Sequence, residues 1–280
     1  MTKTDSAQKA IARAEGIRVA DAFTAADGSR KKAFVAFVTV GDPTLDVTER
    51  LVIAMAKAGV DLIELGIPFS DPTAEGPVIQ EANLRALEKG VTTDDVFDMV
   101  ERVRAAGITI PLVFMTYANV VYGYGIDRFA AREREVGMQG IILPDVPFEE
   151  KAEFAVPFSE QGLEVISLIA PTSHERIRAI AREAQGFVYV VSSLGVTGVR
   201  KEITTDVGAM VRLIREANPQ VPAAVGFGIS TPDQAARMAG VSDGAIVGSA
   251  IIKLLAQYGE GAVPHVEEYV RQMAAATHGA

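Results

Sequence analysis

The stretch DLIELGIPFSDPTAEGPVIQ, Asp61 to Gln80, begins as an apolar strand and breaks into a loop rich in proline and glycine. One carboxylate, Glu64, stands inside the strand, and the loop carries two more, Asp71 and Glu75. Working outward, the strand pattern repeats. Short β-branched runs recur at AFVAFVTV (Ala33–Val40), PLVFMT (Pro111–Thr116), GIILPD (Gly140–Asp145) and EVISLIA (Glu164–Ala170). FVYVVS (Phe187–Ser192), PAAVGFG (Pro222–Gly228) and GAIVGS (Gly244–Ser249) continue the series. Amphipathic helical patterns lie between them, such as TLDVTERLVIAMAKAG (Thr44–Gly59) and SHERIRAIAREAQG (Ser173–Gly186), the second with Ser173 at a capping position.

Parallel strands cannot be joined by a tight turn; they need a crossover, and these helices supply it. Eight such units in 280 residues predict a single (β/α)8 barrel of the α/β class rather than an open doubly wound sheet. Most units repeat at roughly 22 to 34 residues, an ordinary βα spacing. The step from the second strand to the third is about 50 residues, which predicts an extra helix and a long loop there. An extra helix is also expected near the eighth strand. A further N-terminal helix is expected near residues 5 to 15, within a lead-in covering residues 1–30. No linker or low-complexity segment divides the chain, so residues 1–280 read as one domain.

The composition is 49% hydrophobic and 22% charged, with a net charge of -9. A chain of this size buries most of its apolar surface without a disulfide or metal staple. It has no cysteine, which removes thiol nucleophiles, disulfides and cysteine-ligated zinc or iron–sulfur clusters. Neither a signal-peptide core nor an uninterrupted run of some eighteen apolar residues occurs, so a cytoplasmic protein with no membrane span is expected. No basic stripe offsets the acidic balance, which argues against nucleic acid as a partner. A small phosphorylated substrate remains open, because backbone N–H groups bind a phosphate without net positive charge.

In barrels of this kind the active site gathers where the strands end. Glycine-rich turns close the last three strands: GVTG (Gly195–Gly198), GFGIS (Gly226–Ser230) and GSA (Gly248–Ala250). Glycine lets the backbone approach a ligand and turn its N–H groups toward it, and Ser249 is expected as N-cap of the eighth helix. Each glycine alone would serve only its own turn; three on consecutive strands suggest a phosphate clamp. Glu64 is costly to bury unless it is useful or paired: it reads either as an acid pointing outward at a strand edge or paired with a cation, or as an acid–base group in the barrel mouth whose pKa is raised by Phe37, Leu65 and Ile67. Asp71, before a proline, reads as a turn-former. Glu75 reads either as a carboxylate delivered by a mobile lid or as a solvated surface acid. Asp145 serves either as a second strand-end acid or to fix its loop.

Absences narrow the chemistry further. The three histidines, His174, His265 and His278, do not gather at strand ends, so neither a metal site nor a Ser–His pair is expected. No lysine closes a barrel strand to form a Schiff base, and neither a GxGxxG nor a GxxxxGK[ST] loop follows a strand. The remaining kit is a phosphate clamp, one or two carboxylates, Tyr117, Tyr189 and an apolar mouth. It suits proton transfer on a substrate that carries its own electron sink.

From Ala33 to Leu254 the chain resembles the tryptophan synthase α chain family. The resemblance is carried, in order, by FVTVGDP, GVDLIELGIPFSDP, GPVIQ, TYANVVYGYG, PDVPFEE, SSLGVTG, VGFGIS and VGSAI. It implies a lyase of tryptophan biosynthesis that cleaves indole-3-glycerol phosphate to indole and glyceraldehyde 3-phosphate in a retro-aldol step. It implies Glu64 as general acid–base and Glu75 as the second catalytic carboxylate, toward the indole nitrogen. Phe37, Met115, Tyr117, Ile142, Tyr189 and Phe227 would line the indole pocket, with Thr197 on a closing loop. Gly198, Gly228, Gly248 and Ser249 would hold the phosphate. The partner would be a β chain in an α2β2 assembly, met through Pro68, Asp71, Asn119 and Pro147. Pyridoxal phosphate is expected on that β chain alone, with no cofactor on this one.

One departure stands out. The family's usual loop reads SDPLADGP, whereas this chain has SDPTAEGP, so Glu75 replaces an aspartate and carries its carboxylate about 1.5 Å further. A shift of that order costs about 10²-fold in rate unless it is compensated. Ala36 also stands where the family often has proline, a change expected to affect packing only. Three other readings stay open: a stand-alone lyase, a non-catalytic barrel kept as an allosteric partner, and a sugar-phosphate isomerase on a related barrel.

Overall fold

The computed structural model describes residues 16–192, 206–226 and 228–280. The helix expected near residues 5 to 15 lies outside them. Eight parallel strands close into a barrel in sequence order. They are β1 (Ala33–Thr39), β2 (Leu62–Gly66), β3 (Leu112–Met115), β4 (Gly140–Ile142), β5 (Glu164–Ile169), β6 (Val188–Val191), β7 (Ala223–Gly226) and β8 (Gly244–Val247). β8 returns to pair with β1, with Val35 opposite Ile246. Every residue of β1 is buried, as expected of a strand with side chains on one face and crossover helices on the other.

The crossovers hold because their ends are capped. α1 (Leu45–Lys57) starts at Thr44, whose hydroxyl accepts from the N–H of Val47, and it turns Val47, Leu51, Val52 and Met55 onto the barrel. The long step after β2 contains two helices, α2 (Pro77–Glu88) and α3 (Thr93–Ala105), as its length predicts. Pro77 opens α2 at a position where no N–H is needed, and Thr92 with Asp95 forms a reciprocal capping box on α3. β3 leads into a short helix that the sequence did not announce, α4 (Ala118–Tyr124), followed by α5 (Ile126–Glu135). The remaining crossovers are α6 (Ala152–Glu160), α7 (His174–Glu183), α8 (Val207–Ala217) and α9 (Pro232–Val241). Ser173 caps α7 as expected, through the N–H of Arg176 at 3.3 Å. The extra helix expected near the last strand is present, since β8 is followed by both α10 (Ser249–Tyr258) and α11 (Val263–His278).

Buried polar groups hold the end of the barrel where the strands begin. Asp61 accepts from the N–H of Phe34 at 2.8 Å, from Lys31 at 2.5 Å and from His278 at 2.7 Å. The last residue of α11 is thereby tied to the starts of β1 and β2. Asp243 does the same for β7, accepting from the N–H of Ala223 at 2.9 Å and pairing with Arg215 at 3.1 Å. On the flank, Arg104 is fully buried at the end of α3. Its guanidinium donates to the carbonyls of Gly137, Ile108 and Ile110 and to Oε1 of Gln139, all within 3.0 Å. Among the described residues, no helix is long and apolar enough to cross a membrane.

Candidate active site

The opposite end of the barrel gathers most of the residues singled out above. Glu64 lies mid-β2, in register with Phe37 of β1 and Val113 of β3. It is fully buried, and among the described residues neither carboxylate oxygen has a hydrogen-bond partner. Burial without compensation pushes its pKa up to about 8, so the carboxyl carries its proton at neutral pH. This bears out the expectation of a raised pKa. The phenol of Tyr189 on β6 is also buried and its pKa raised, first by desolvation and then by the Glu64 charge, which places the two groups within electrostatic reach.

Glycines decide where the neighbouring rings can lie. A Cβ on Gly226 would come within 2.4 Å of the Tyr189 hydroxyl oxygen, so the phenol occupies the space that a side chain at the end of β7 would need. A Cβ on Gly66 would meet the Phe37 ring at 2.7 Å, and one on Gly248 would meet it at 3.1 Å. Phe37 is thus seated between the ends of β2 and β8. Met115 and Ile142, paired across β3 and β4, are buried on the adjoining side.

The loop after β2 is pinned rather than free. Tyr117 accepts the N–H of Ala74 at 3.1 Å and stacks on Phe69 with centroids 5.2 Å apart. Glu75 is buried, at 4% exposure, which removes the solvated surface acid from consideration. Its N–H donates to the Pro72 carbonyl and its own carbonyl accepts from Gln80 at 2.8 Å. Oε2 accepts from Nδ2 of Asn83 at 2.7 Å. Burial raises the pKa of Glu75 to about 7, with the Asn83 bond opposing the rise. Tyr117 feels this carboxylate: its phenol pKa is raised by burial and then by the charge on Glu75.

The phosphate-clamp candidates are only partly in view. Thr197, Gly198 and Phe227 lie outside the described residues. Gly228 adopts a left-handed φ of 86°, which glycine allows without strain, and it follows the end of β7 next to the end of β8. Gly248, not Ser249, is the N-cap of α10, and no side chain caps that helix. Ser249 is its first full residue, because the helix closes one residue earlier than a serine cap would set it, with the Gly248 carbonyl accepting from Ile252. The N-terminal N–H groups are therefore left for another acceptor.

Of the residues assigned to a partner contact, Asp71, Asn119 and Pro147 are exposed, while Pro68 is buried and shapes its loop from beneath. Asp71 takes the Ser70 hydroxyl at 2.5 Å, as a turn-former would. Asp145 fixes its loop: both oxygens accept from the N–H of Ala118 at 3.1 Å, joining the β3 and β4 loops at the start of α4. Two contacts were beyond sequence reasoning. Arg85 of α2 grips buried Asp42 with two bonds of 2.8 Å, and Asn83 holds Glu75. Asp42 at least stands at a strand end; nothing in the sequence marks Asn83.

The model of the family described as tryptophan synthase alpha chain matches residues 23–278. The tryptophan synthase alpha chain of Lactiplantibacillus plantarum is 49% identical over 249 residues, 89% of this chain and 93% of that one. Its namesake from Geobacter sulfurreducens is also 49% identical, over 86% of this chain and 91% of that one. Among solved structures, tryptophan synthase subunit alpha from Legionella pneumophila superposes with a TM-score of 0.81 at 35% identity, covering 98% of this chain and 99% of that one. A chain of tryptophan synthase from M. tuberculosis in an open form gives 0.78 at 30% identity, over 89% and 93%.

Proposed function

Since this chain belongs to the tryptophan synthase alpha chain family, we propose that it is the lyase subunit that cleaves indole-3-glycerol phosphate to indole and glyceraldehyde 3-phosphate. The observation that carries this reading is Glu64: a fully buried carboxyl, without hydrogen-bond partners among the described residues and protonated at neutral pH, held by a barrel strand beside an aromatic wall. Glu64 gives its proton to indole C3. The ring then takes up the electron pair as the bond to the glycerol chain breaks, and the Glu64 carboxylate receives the proton of the glycerol hydroxyl. Glu75, ionised, accepts the indole N–H and stabilises the positive charge that develops on the ring. Phe37, Met115, Ile142, Tyr117 and Tyr189 with Phe227 enclose the indole. The N–H groups around Gly198, Gly228, Gly248 and Ser249 take the phosphate, with Thr197 closing over it.

We place the partner, a β chain carrying the pyridoxal phosphate of an α2β2 assembly, against Asp71, Asn119 and Pro147. Their exposure supports this, as does the likeness to a chain of M. tuberculosis tryptophan synthase. The acidic, cysteine-free composition suits a cytoplasmic setting. The test is indole release from indole-3-glycerol phosphate, with and without a β chain. Slow release by the chain alone and faster release with the partner are expected; no release under either condition overturns the assignment.

Two further outcomes follow from the geometry. Turnover needs Glu75 ionised and Glu64 protonated. With pKa values of about 7 and about 8, kcat/KM is expected to rise as pH approaches 7 and to fall above 8. A profile flat from pH 6 to 9 would rule out this division of labour. Gly226→Ala drives a methyl group into the Tyr189 phenol and displaces it by about 1 Å, so kcat/KM is expected to fall by about 10²-fold and the overpacking to cost about 1 to 3 kcal/mol of stability.

A further inference from the structure

We propose that Asn83 is a positioning residue for the second carboxylate: from α2 it holds Oε2 of Glu75 and sets where that group rests and how readily it ionises. This deepens, and rests on, the reading of Glu75 as the group that meets the indole nitrogen.

The geometry makes the two residues a matched pair. The backbone of Glu75 is held at both ends, by Pro72 before it and by Gln80 after it. Gly76 follows as the N-cap of α2, so the loop has little freedom to slide along the helix. From this anchored point the side chain reaches Asn83, eight residues on, with both groups buried. The contact is 2.7 Å. An aspartate on the same backbone would withdraw its oxygens by one C–C bond, about 1.5 Å. That would carry the contact past about 3.5 Å, outside hydrogen-bonding range. Glutamate at 75 and asparagine at 83 are thus fitted to one another in length.

Among the described residues, no cation shares the task. Glu75 forms no ion pair among the described residues, and Arg85 on the same helix commits both arms of its fork to Asp42. Of the other titratable groups, Tyr117 faces the carboxylate from the end of β3 with its hydroxyl taken up by Ala74, and Asp71 is exposed on the loop. Against burial, the Asn83 amide is the group that favours the charged form.

The experiment is a length swap read by pH. Asn83→Ala is expected to move the acid limb of kcat/KM upward by about one pH unit, the shift that loss of one hydrogen bond to a charged group produces. Asn83→Ser removes the same reach and serves if the alanine variant fails to fold. Glu75→Asp alone is expected to lower kcat/KM, and Glu75→Asp with Asn83→Gln, which returns the lost methylene from the other side, is expected to recover it at least tenfold. An acid limb that stays in place in Asn83→Ala overturns the proposal, as does a double variant no better than Glu75→Asp alone. Titration of the Glu75 carboxyl carbon by NMR, in protein labelled at glutamate, gives a readout that does not depend on turnover. If the wild type releases no indole, the functional reading fails by itself. A carboxyl pKa raised in Asn83→Ala then still supports the pair, and an unchanged one overturns it.

Discussion

Glu64→Gln is expected to yield a barrel that is more stable than the wild type above pH 5 and slower in indole release by about 10² to 10⁴-fold. Both effects have one source. The carboxyl is fully buried without a hydrogen-bond partner among the described residues, so its pKa in the folded chain is raised to about 8, against an ordinary value of 4.5. Between those two values the folded chain keeps a proton that the unfolded chain has lost, so stability falls as pH rises, by about 1.4 kcal/mol per pH unit. At pH 7 the accumulated cost is roughly 3 kcal/mol. Glutamine has nearly the same shape and no proton to lose, so it removes the slope but leaves the burial of a polar group. Urea midpoints at pH 5, 7 and 8.5 check this: the gap between variant and wild type should be smallest at pH 5 and widen to a plateau above pH 8. A constant gap would mean that Glu64 titrates normally in the fold. Binding of a phosphate-bearing substrate analogue should survive the substitution. The group proposed for the proton transfer is also one that the fold would be more stable without.

Arg104→Ala is expected to cost roughly 3 to 5 kcal/mol of unfolding free energy, with no direct effect on the mouth of the barrel. The guanidinium ends α3 and meets three backbone carbonyls and the Gln139 side chain, whose Oε1 also accepts the N–H of Leu112 at the start of β3. Burial lowers its pKa to about 9, and its removal leaves the buried Ile108 carbonyl and Gln139 Oε1 short of a donor, with the Gly137 carbonyl keeping only the Gln139 amide. Lysine should rescue little, because three rotatable N–H groups on one nitrogen cannot span acceptors arranged for a planar fork. Equilibrium urea unfolding at pH 7 measures the loss. A change below about 1 kcal/mol would mean that water takes over the guanidinium's place.

The strands and most crossovers are legible in the sequence because their information is local. A β-branched run between turn residues, or an apolar stripe behind a threonine or serine cap, is complete within a dozen positions. The excess length after β2 likewise foretells the paired helices α2 and α3. Glu64 is legible as well, since a carboxylate within LIELG has few uses inside a barrel. What escapes is whatever depends on partners far along the chain. Asp61 and His278 meet 217 positions apart, and Arg104 and Gln139 meet 35 apart. In the highly charged run REREVG, Glu133 looks like one acid on a solvated face, yet it is fully buried with neither oxygen paired among the described residues. The burial of Glu75 escapes for the same reason, because it depends on where α2 lies over the loop. The cap of α10 shows a local failure: serine is favoured at that position, but the chain makes its turn at Gly248, hard against Phe37.

The tie between His278 and Asp61 has a practical consequence. It fixes the C-terminal end of the chain to the face where β1 and β2 begin, and Ala280 lies exposed beside it. That face is at the far end of the barrel axis from Glu64 and the loops bearing Asp71, Asn119 and Pro147. A tether or dye attached at Ala280 would hold the molecule by its base, leaving the mouth oriented outward and unobstructed. A chain immobilised this way on a sensor surface presents the barrel mouth and the loops proposed for partner contact to solution, so arrival of a second protein can be recorded without the anchor competing for the same ground.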